Sequence, residues 1–366
     1  MYIDKISINN FRNMKNISVN LNNGLNVFYG DNAQGKTSFL ESVYLCGTGR
    51  SHRANSEKAL IMFNETESHI KAHVCDEYSN YKIDVHLKGN DKKGVAIDSV
   101  PLKKLGDLFG HLLVVVFSPE DLELIKGAPS IRRRFIDMEL CQLSHIYYYN
   151  LQQYYKVLKQ RNSLLKSIYK DPALISTLSV WDEQLACYGC EIIKSREGFI
   201  EHISGLAGKI YGEASHNNEA LQINYKPSLS IKNYEDKLIK NRLRDIQLGS
   251  TGLGIHKDDI IFIVDGYDVR GYGSQGQQRT CALAVKLAEV ELIKSLKKRS
   301  PVLLLDDVLS ELDIGRQDYI LRNIMPVQTI ITTTGAYDII SRAGKKTFIF
   351  HVQNGNITFE GPSFMV

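Results

Sequence analysis

Over residues 1–125, short runs of alternating apolar and polar positions predict strands and hairpins around one early helix. Four such runs are Tyr2–Asn9, Leu25–Tyr29, Ser68–Cys75 and Tyr81–Leu87. The last two are close in sequence and are predicted to pair as a hairpin. The segment HLLVVVFSPED instead holds a continuous apolar run that ends at Ser-Pro, which favours a buried strand.

Beyond about residue 130 the apolar positions recur at spacings of three, four and seven residues, the pattern of an amphipathic helix. The first such stripe predicts one long helix and consists of Leu140, Leu143, Tyr147, Leu151, Tyr154, Leu158, Leu165 and Ile168. The proline in KDPALIS then interrupts the pattern. A second stripe predicts a second long helix and consists of Trp181, Leu185, Tyr188, Ile192, Phe199, Ile203, Leu206 and Ile210. Two long helices joined by a short break predict an antiparallel helical hairpin.

From about Leu221 the pattern returns to alternating strands and helices. The predicted elements are the strand LQINY, strands around IIFIVDG, a helix from Gln277 to Lys298, the strand PVLLLDD, a further helix, the strand VQTIITTT, and a hairpin that turns at Asn354-Gly355. The chain is therefore predicted to be an α/β head domain, with a mixed sheet and β-hairpins, that is split by an inserted helical-hairpin subdomain. We expect the head in residues 1–130 and 241–366, and a helical lobe in residues 131–240.

The composition is that of a globular protein. Hydrophobic residues make up 43% and charged residues 23% of the 366 residues, and no apolar run reaches the roughly 18 residues of a membrane-spanning helix. The start of the chain lacks a signal-peptide core, which favours a cytoplasmic protein. Its 6 cysteines do not suggest a disulfide scaffold. The net charge of +4 permits a polyanionic partner without requiring one.

The segment GDNAQGKT, from Gly30 to Thr37, fits the phosphate-loop pattern GxxxxGK(S/T) and lies between a predicted strand and a predicted helix. Backbone N–H groups of such a loop and of the helix start cradle the β- and γ-phosphates of a nucleotide. Lys36 adds a positive charge there, and the Thr37 hydroxyl is expected to bind Mg²⁺. A chance match in a glycine-containing loop is the alternative, and the flanking elements argue against it.

The apolar strand PVLLLDD ends in two acids, Asp306 and Asp307. A buried parallel strand that delivers a carboxylate at its carboxyl end is the Walker B arrangement. Asp306 is expected to hold Mg²⁺, and Asp307 to orient or activate the attacking water. Two acids at a strand end also fit a helix cap when taken alone. The phosphate loop favours the catalytic interpretation.

A third motif indicates the subclass of ATPase. Ser274-Gln275-Gly276-Gln277-Gln278-Arg279 precedes a predicted helix, and Ser310-Glu311-Leu312-Asp313 follows the two acids. A signature loop, Walker B acids and a D-loop in this order are the layout of an ABC-type ATPase. In that layout the signature of one subunit closes over the γ-phosphate held by another, again through a helix N-terminus. We therefore expect ATP to join two heads. A merely polar helix start is the alternative for SQGQQR.

Six segments together resemble the RecF family of bacterial DNA-repair proteins, which are SMC-like ABC-type ATPases. They are FRNMKN, GDNAQGKTSFLESVYL, GRSHR, VVVFSPEDLELIKGAPSIRRRFID, YGSQGQQRT and LLLDDVLSELD. The match runs in order from Arg12 to Asp313, so it covers nearly the whole chain. The fourth segment is specific to the RecF family among such heads, and the others would also admit SMC-like proteins.

The resemblance implies an ATP- and Mg²⁺-dependent protein of DNA repair, DNA replication and the SOS response to DNA damage. It implies a weak DNA-stimulated ATPase that dimerises with ATP and binds single- and double-stranded DNA at gaps. It also implies partners, RecR and RecO, with which the protein helps to load RecA.

Carried over residue by residue, the resemblance implies several groups of site residues. The nucleotide-binding group is Gly30, Asp31, Asn32, Ala33, Gln34, Gly35, Lys36, Thr37, Ser38 and Arg12. Thr37 and Asp306 would hold the metal, and Asp306 and Asp307 would be catalytic. The group that acts on the partner subunit is Ser274, Gln275, Gly276, Gln277 and Asp313.

The chain departs from the wider ABC pattern in three places. Its second acid is Asp307 where transporters usually carry glutamate, which suggests slow hydrolysis. Thr332 to Thr334 occupy the switch position where a histidine is usual, and VVVFSPEDL has no Q-loop glutamine. A transporter subunit and an SMC-type structural head are the alternative functions. A transporter subunit is disfavoured because its phosphate loop and signature lie much closer together, without a long helical hairpin between them. An SMC-type head is disfavoured because its helical arm would be several times longer than this hairpin. A scaffold that binds ATP without hydrolysing it also stays open.

Several basic residues are candidates for contacts with DNA phosphates, which give affinity without sequence specificity. They are Arg50, His52, Arg53, Lys103, Lys104, Arg132, Arg133 and Arg134. The run from Arg132 to Arg134 fits equally well a face that meets solvent or pairs with acids.

Cys187 and Cys190 have the spacing of a zinc-binding pair. Zinc needs four ligands, so two such pairs would have to meet across a dimer. Because the pair lies inside the second predicted long helix, we expect two small core residues instead.

Overall fold

The four strands predicted from alternating apolar and polar positions are present, and the strands of the chain form three sheets. The computed structural model describes the chain apart from residues 55, 78, 90–92, 169–170, 216–218, 324–326, 336–346 and 364–366, and apart from the side chains of residues 311, 323 and 363. The strands are β1 (Tyr2–Phe11), β2 (Met14–Asn20), β3 (Leu25–Tyr29), β4 (Glu67–Cys75), β5 (Asn80–Lys88), β6 (Gly94–Ile97), β7 (Val100–Pro101), β8 (Val114–Phe117), β9 (Leu221–Lys226), β10 (Asp259–Val264), β11 (Tyr267–Asp268), β12 (Val302–Asp306), β13 (Thr329–Thr333), β14 (Thr347–Gln353) and β15 (Asn356–Ser363).

The first sheet is antiparallel, with strand order β2-β1-β4-β5-β6-β7. β4 and β5 pair over their whole length, from Glu67 opposite Lys88 to Cys75 opposite Asn80, which confirms the predicted hairpin. Buried positions alternate with more exposed ones along β4 and β5. One face of this sheet therefore covers a hydrophobic core.

The second sheet is mixed, with strand order β15-β14-β3-β13-β12-β8. All neighbouring pairs are parallel except β14 and β15, which form the predicted C-terminal hairpin. Every residue of β12 and β13 is buried, as in a parallel sheet that is covered on both faces. The carboxyl ends of the parallel strands meet at one edge, and that edge carries the phosphate loop and the two acids.

The helices are α1 (Lys36–Thr48), α2 (Leu122–Lys126), α3 (Pro129–Leu143), α4 (His145–Ile168), α5 (Leu178–Ala214), α6 (Tyr234–Lys240), α7 (Arg242–Leu248), α8 (Val269–Tyr272), α9 (Gln275–Lys297) and α10 (Ile314–Asn323). α1 contacts strands of both six-stranded sheets and is buried nearly all round. Phe28 of β3 stacks on Phe39 of α1 and on Phe350 of β14, with ring centroids 4.3 and 4.5 Å apart. This stack fixes the two elements that flank the phosphate loop.

The prediction of a single long helix over Leu140–Ile168 is wrong, because the helix breaks between α3 and α4 at Ser144. That residue is extended, with φ −149° and ψ 115°, and it ends α3. Its hydroxyl accepts a hydrogen bond from the backbone N–H of Tyr147 at 3.1 Å and so caps the start of α4. The apolar spacing continues across this break, which is why periodicity alone did not reveal it.

The helical hairpin predicted from the second and first stripes is confirmed, and it consists of α4 and α5. Arg161 of α4 pairs with Asp182 of α5 at 2.7 Å, and Arg196 of α5 donates to the hydroxyl of Tyr147 at 3.1 Å. Tyr147 comes before Arg161 in α4, whereas its partner Arg196 comes after Asp182 in α5, so the helices are antiparallel. Arg161 and Asp182 are both fully buried, and each has a second ion-pair partner, Asp245 for Arg161 and Arg242 for Asp182. The four charges balance, so removing one of them would leave this buried network with a net charge.

The chain forms two compact units. One consists of Met1–Asp121 and Lys286–Val366, and the other of Leu122–Val285, so α9 contributes to both. The second unit also contains the three-stranded sheet β11-β10-β9. The boundaries of these units differ from those of the three segments predicted above, 1–130, 131–240 and 241–366. The division into those three segments stays a prediction. In the described part of the chain, no helix has the length and apolar character needed to cross a membrane.

Candidate functional site

The phosphate-loop segment joins β3 to α1, and Lys36 lies at the start of that helix. The Nζ atom of Lys36 donates to the carbonyl of Gly30 at 2.6 Å and to that of Asp31 at 2.8 Å. Burial lowers the pKa of the Lys36 ammonium, and the carboxylates of Asp307 and Asp306 offset part of this effect. The loop thus holds a positive charge against its own carbonyl oxygens.

A turn from the C-terminal hairpin braces the same loop. The side-chain oxygen of Gln34 accepts from the N–H of Asn354 at 2.6 Å, and its carbonyl accepts from the N–H of Gly355 at 2.9 Å. Gly355 has a φ of 75°, and a Cβ atom there would lie 2.0 Å from the carbonyl oxygen of Asn13. Only glycine fits this position. The Asn-Gly pair predicted the turn, but nothing in the sequence predicted that the turn contacts the phosphate loop.

Strand order brings the hydroxyl of Thr37 to the carboxylate of Asp306. β13 lies between β3 and β12, so the ends of all three strands are adjacent. Thr37 donates to Oδ1 of Asp306 at 2.9 Å, and Thr332 of β13 donates to the same oxygen at 2.7 Å. A hydroxyl and a carboxylate in contact fit Mg²⁺, which prefers oxygen ligands and completes its shell with phosphate and water.

Asp307 follows in the left-handed region, with a φ of 54°. Its N–H donates to the carbonyl of Thr332 at 3.2 Å and to the hydroxyl of Thr332 at 3.1 Å. Ser310 donates to the Asp307 carbonyl at 2.7 Å. A non-glycine residue in this conformation is held by its surroundings, and such residues cluster at functional sites. Thr332 therefore fixes both acids, a role that the sequence did not indicate.

Arg12 is tied to α1 through Glu41, a residue that sequence analysis missed. Nε and Nη2 of Arg12 donate to the two carboxylate oxygens of Glu41 at 2.9 and 3.0 Å, and Nη1 donates to the carbonyl of Ala59 at 2.7 Å. Burial raises the pKa of Glu41, but hydrogen bonds from Arg12 and Ser51 outweigh it, so the pKa is lowered. Glu41 stays ionised and positions the guanidinium.

One cleft with a volume of about 720 Å³ is lined by Arg12, Lys36, Thr37 and the two acids, among others. Most of the predicted nucleotide-binding residues are among those that line it, together with residues of the segment 58–63. The lining residues are Arg12, Asn13, Asn32, Ala33, Gly35, Lys36, Thr37, Ser38, Arg53, Lys58, Ala59, Ile61, Phe63, Asp306 and Asp307. The cleft therefore combines the loop and the start of α1 with four cationic side chains and two carboxylates.

The signature segment lies in the second compact unit, where it starts α9. The N–H of Ser274 donates to the side-chain oxygen of Gln277 at 2.8 Å, and the N–H of Gln277 donates to the Ser274 hydroxyl at 3.2 Å. This reciprocal pair is a capping box. Ser274 and Gln275 are exposed, so the capped helix start presents them at the surface. The role of Ser274, Gln275, Gly276 and Gln277 toward a partner stays a prediction.

The D-loop residue Asp313 caps α10. Its Oδ1 accepts from the N–H of Arg316 at 3.0 Å, and its Oδ2 accepts from the guanidinium of Arg316 at 2.5 Å. The backbone hydrogen bond from Arg316 lowers the pKa of Asp313. The side chain of Glu311 lies outside the described set.

The predicted DNA contact by Arg132 needs correction. Arg132 is 1% exposed, and its Nε and Nη2 donate to the two oxygens of Asp259 at 2.6 and 3.0 Å. Its Nη1 donates to the carbonyl of Gly127 at 2.8 Å. The guanidinium is thus buried and bound within the second unit. Arg133 is half-buried and donates to the carbonyl of Asp258 at 2.8 Å, while Arg134 is exposed.

The other basic candidates lie in the first unit. Arg50, Arg53, Lys103 and Lys104 are exposed, whereas the ring of His52 is half-buried and packs edge-on against Tyr44. Arg53 lines the cleft and pairs with Glu120 at 3.2 Å. Glu120 follows β8, in the segment where the wider ABC pattern has a Q-loop glutamine and this chain has none.

The expectation that Cys187 and Cys190 are core residues is wrong. Cys187 is exposed and Cys190 is half-buried, with its Sγ 3.9 Å from the carbonyl oxygen of Ile231. The period of α5 turns this pair away from the buried stripe. Among the described residues, no three His, Cys, Asp or Glu side chains are grouped so as to hold a metal.

Comparison with known proteins agrees with this geometry. Residues 2–358 match the family model for the RecF/RecN/SMC N terminal domain. The DNA replication and repair protein RecF of Lachnospira eligens is 47% identical to this chain, covering 98% of it and 100% of that protein. The protein of the same name from Agathobacter rectalis is 48% identical, covering 98% of this chain and 99% of that protein.

Solved structures show the same fold. A structure of the recombination mediator protein RecF-ATP in the RecFOR pathway is 36% identical, with a TM-score of 0.90, and the match covers 98% of this chain and 99% of that one. An Smc head bound to the C-winged helix domain of ScpA is 14% identical, with a TM-score of 0.59, and the match covers 98% of this chain and 97% of that one, which shows the fold alone.

The fold and the order of its motifs define an ABC-type ATPase head of the kind found in SMC proteins, which confirms the predicted fold class. The chain belongs to the RecF/RecN/SMC N-terminal family and, within it, to the RecF family of DNA replication and repair proteins.

Proposed function

We propose that the chain is an ATP-dependent DNA-binding protein of DNA replication and recombinational gap repair. The observation that carries this proposal is the meeting of Lys36, Thr37 and Asp306 at the carboxyl ends of neighbouring parallel strands, in a cleft that Arg12 also lines. The names of the relatives and the solved RecF-ATP structure support it.

In this proposal the loop from Gly30 to Ser38 binds the phosphates of ATP. Its backbone N–H groups and the start of α1 supply donors, and Lys36 exchanges loop carbonyls for phosphate oxygens. Thr37 and Asp306 would hold Mg²⁺, which when bound neutralises charge on the β- and γ-phosphates. Thr332 keeps the Asp306 carboxylate in place.

Asp307 orients the attacking water in the proposed hydrolysis. Its backbone is fixed by Thr332 and Ser310, so its carboxylate has a defined direction. A shorter aspartate in place of the glutamate of transporters is consistent with a weak ATPase that serves as a switch, and we propose that DNA stimulates it. Asp306 takes part through the metal.

We further propose that ATP joins two copies of the chain through Ser274, Gln275, Gly276 and Gln277, and that Asp313 also acts toward the partner copy. Exposed capping residues at a helix start suit a phosphate that another copy presents. DNA contacts are assigned to Arg50, Arg53, Arg133 and Arg134, and Arg132 is withdrawn from this set because it is buried. Single- and double-stranded DNA at gaps, RecR and RecO are the proposed partners, RecA loading the proposed outcome and the cytoplasm the proposed location.

The proposal is tested by titrating a gapped duplex with the protein in the presence and absence of Mg-ATP. We expect tighter DNA binding with ATP and a slow release of phosphate in a single turnover. DNA binding that ignores ATP would contradict the proposal. ATP binding without any phosphate release would favour a scaffold over a switch.

A further inference from the structure

The cleft is lined by two chemically different segments. One is the polar site formed by Lys36, Thr37 and Asp306. Lys36 and Thr37 are neighbours in sequence, and Thr37 donates a hydrogen bond to Asp306. The other is the segment 59–63, which contributes apolar surface from Ala59, Ile61 and Phe63. ATP has the same division, since it is anionic at its phosphates and planar and largely apolar at its base.

The apolar segment is held rigidly to the sheet. Arg12 donates its N–H to the carbonyl of Leu60 at 2.8 Å, and Met62 donates to the carbonyl of Asn10 at 2.8 Å. The N–H of Glu65 then closes a turn on the carbonyl of Met62 at 3.0 Å. Phe63 is one of the two central residues of this turn, and its ring is presented by an anchored backbone.

Phe63 is also 88% exposed, while Ile61 beside it is 9% exposed. A whole aromatic ring left in water beside a phosphate-binding loop lacks the burial that stabilises other phenylalanines of this chain. We propose that Phe63 is the stacking platform for the base of the bound nucleotide. This inference rests on the proposed ATP binding and names the residue that recognises the base.

The test compares the affinities of Phe63→Ala for Mg-ATP and for inorganic tripolyphosphate, which has no base. Stacking on an aromatic ring is strong enough that its loss should weaken ATP binding about tenfold or more. Affinity for tripolyphosphate should not change, and Phe63→Tyr should bind ATP as the wild type does. Val100→Ala, which removes an exposed apolar side chain outside the cleft, serves as the matched control.

A fluorescence signal tests the contact directly. The chain has 1 tryptophan, Trp181, so a Trp181→Phe, Phe63→Trp protein carries its only indole at the proposed platform. ATP should quench its emission, and tripolyphosphate should not. Phe63→Ala binding ATP like the wild type, an equal loss of tripolyphosphate affinity, or a defect confined to DNA binding would each overturn the inference. Failure of the wild type to bind ATP would instead overturn the proposed function.

Discussion

Replacing Thr332 by valine removes one hydroxyl from the centre of the site and preserves the shape of a β-branched side chain. In the native protein this hydroxyl donates to Oδ1 of Asp306 at 2.7 Å and accepts from the N–H of Asp307 at 3.1 Å. Valine suits a buried strand, so β13 should keep its pairing. The carboxylate of Asp306 then retains Thr37 as its hydroxyl partner.

The magnitude follows from the kind of hydrogen bond that is lost. A bond to a charged group contributes about 1.5–3 kcal/mol, so the free energy of unfolding should fall by that amount. A domain with about 5–15 kcal/mol of stability stays folded after such a change. Loss of a residue that orients a metal ligand weakens metal binding by about 10–100-fold. The Mg²⁺ concentration that half-saturates ATP hydrolysis should rise by a similar factor.

The assay measures ATP hydrolysis across a Mg²⁺ titration, together with denaturant unfolding. Thr329→Val is the matched control, because Thr329 is buried on the same strand and its hydroxyl donates only to the carbonyl of Val327 at 3.2 Å. Thr329→Val should lose about 1 kcal/mol or less and keep the native Mg²⁺ dependence. Thr332→Ser should restore it. A Thr332→Val protein with native Mg²⁺ dependence would refute the assignment of Thr332 as the residue that positions Asp306.

Three further substitutions test the other groups of the site. Lys36→Ala should remove measurable ATP binding while circular dichroism shows a folded protein, and retained ATP-dependent DNA binding would count against the phosphate-loop assignment. Asp307→Asn should bind ATP normally and slow single-turnover hydrolysis by at least about tenfold, since asparagine tolerates the left-handed backbone; unchanged turnover would move the water-positioning role elsewhere. Ser274→Arg should bind ATP as a monomer and fail to dimerise in sedimentation, with Ser274→Ala as the control for the lost helix cap, worth about 0.5–2 kcal/mol; dimerisation at wild-type concentrations would refute the signature assignment.

Local pattern was enough to predict the elements that build the site. The Gly30–Thr37 loop, the strand ending at Asp306 and the Asn354-Gly355 turn each carry a short-range signal, because glycines and strand-end acids have strong backbone requirements. The order of these motifs also predicted the class of ATPase. β4 and β5 were paired correctly because two alternating runs close together in the chain predict a hairpin.

Long-range contacts were not predictable in this way. Thr332 and Glu41 hold Asp306 and Arg12 through a sheet order and a helix packing that no local pattern encodes. Arg132 looks like a surface cation until Asp259, far along the chain, is placed beside it. The same holds for the break at Ser144, where a cap interrupts a helix without interrupting the apolar period.

The central claim is that ATP joins two heads into a form that holds DNA, and sedimentation velocity of the purified chain tests it most directly. With Mg-ATP and a gapped duplex we expect a complex of two copies of the chain on the DNA. Without nucleotide, or with Lys36→Ala, the chain should sediment as a monomer and bind the duplex weakly. A monomer in every condition, with DNA binding that does not respond to ATP, would contradict the account.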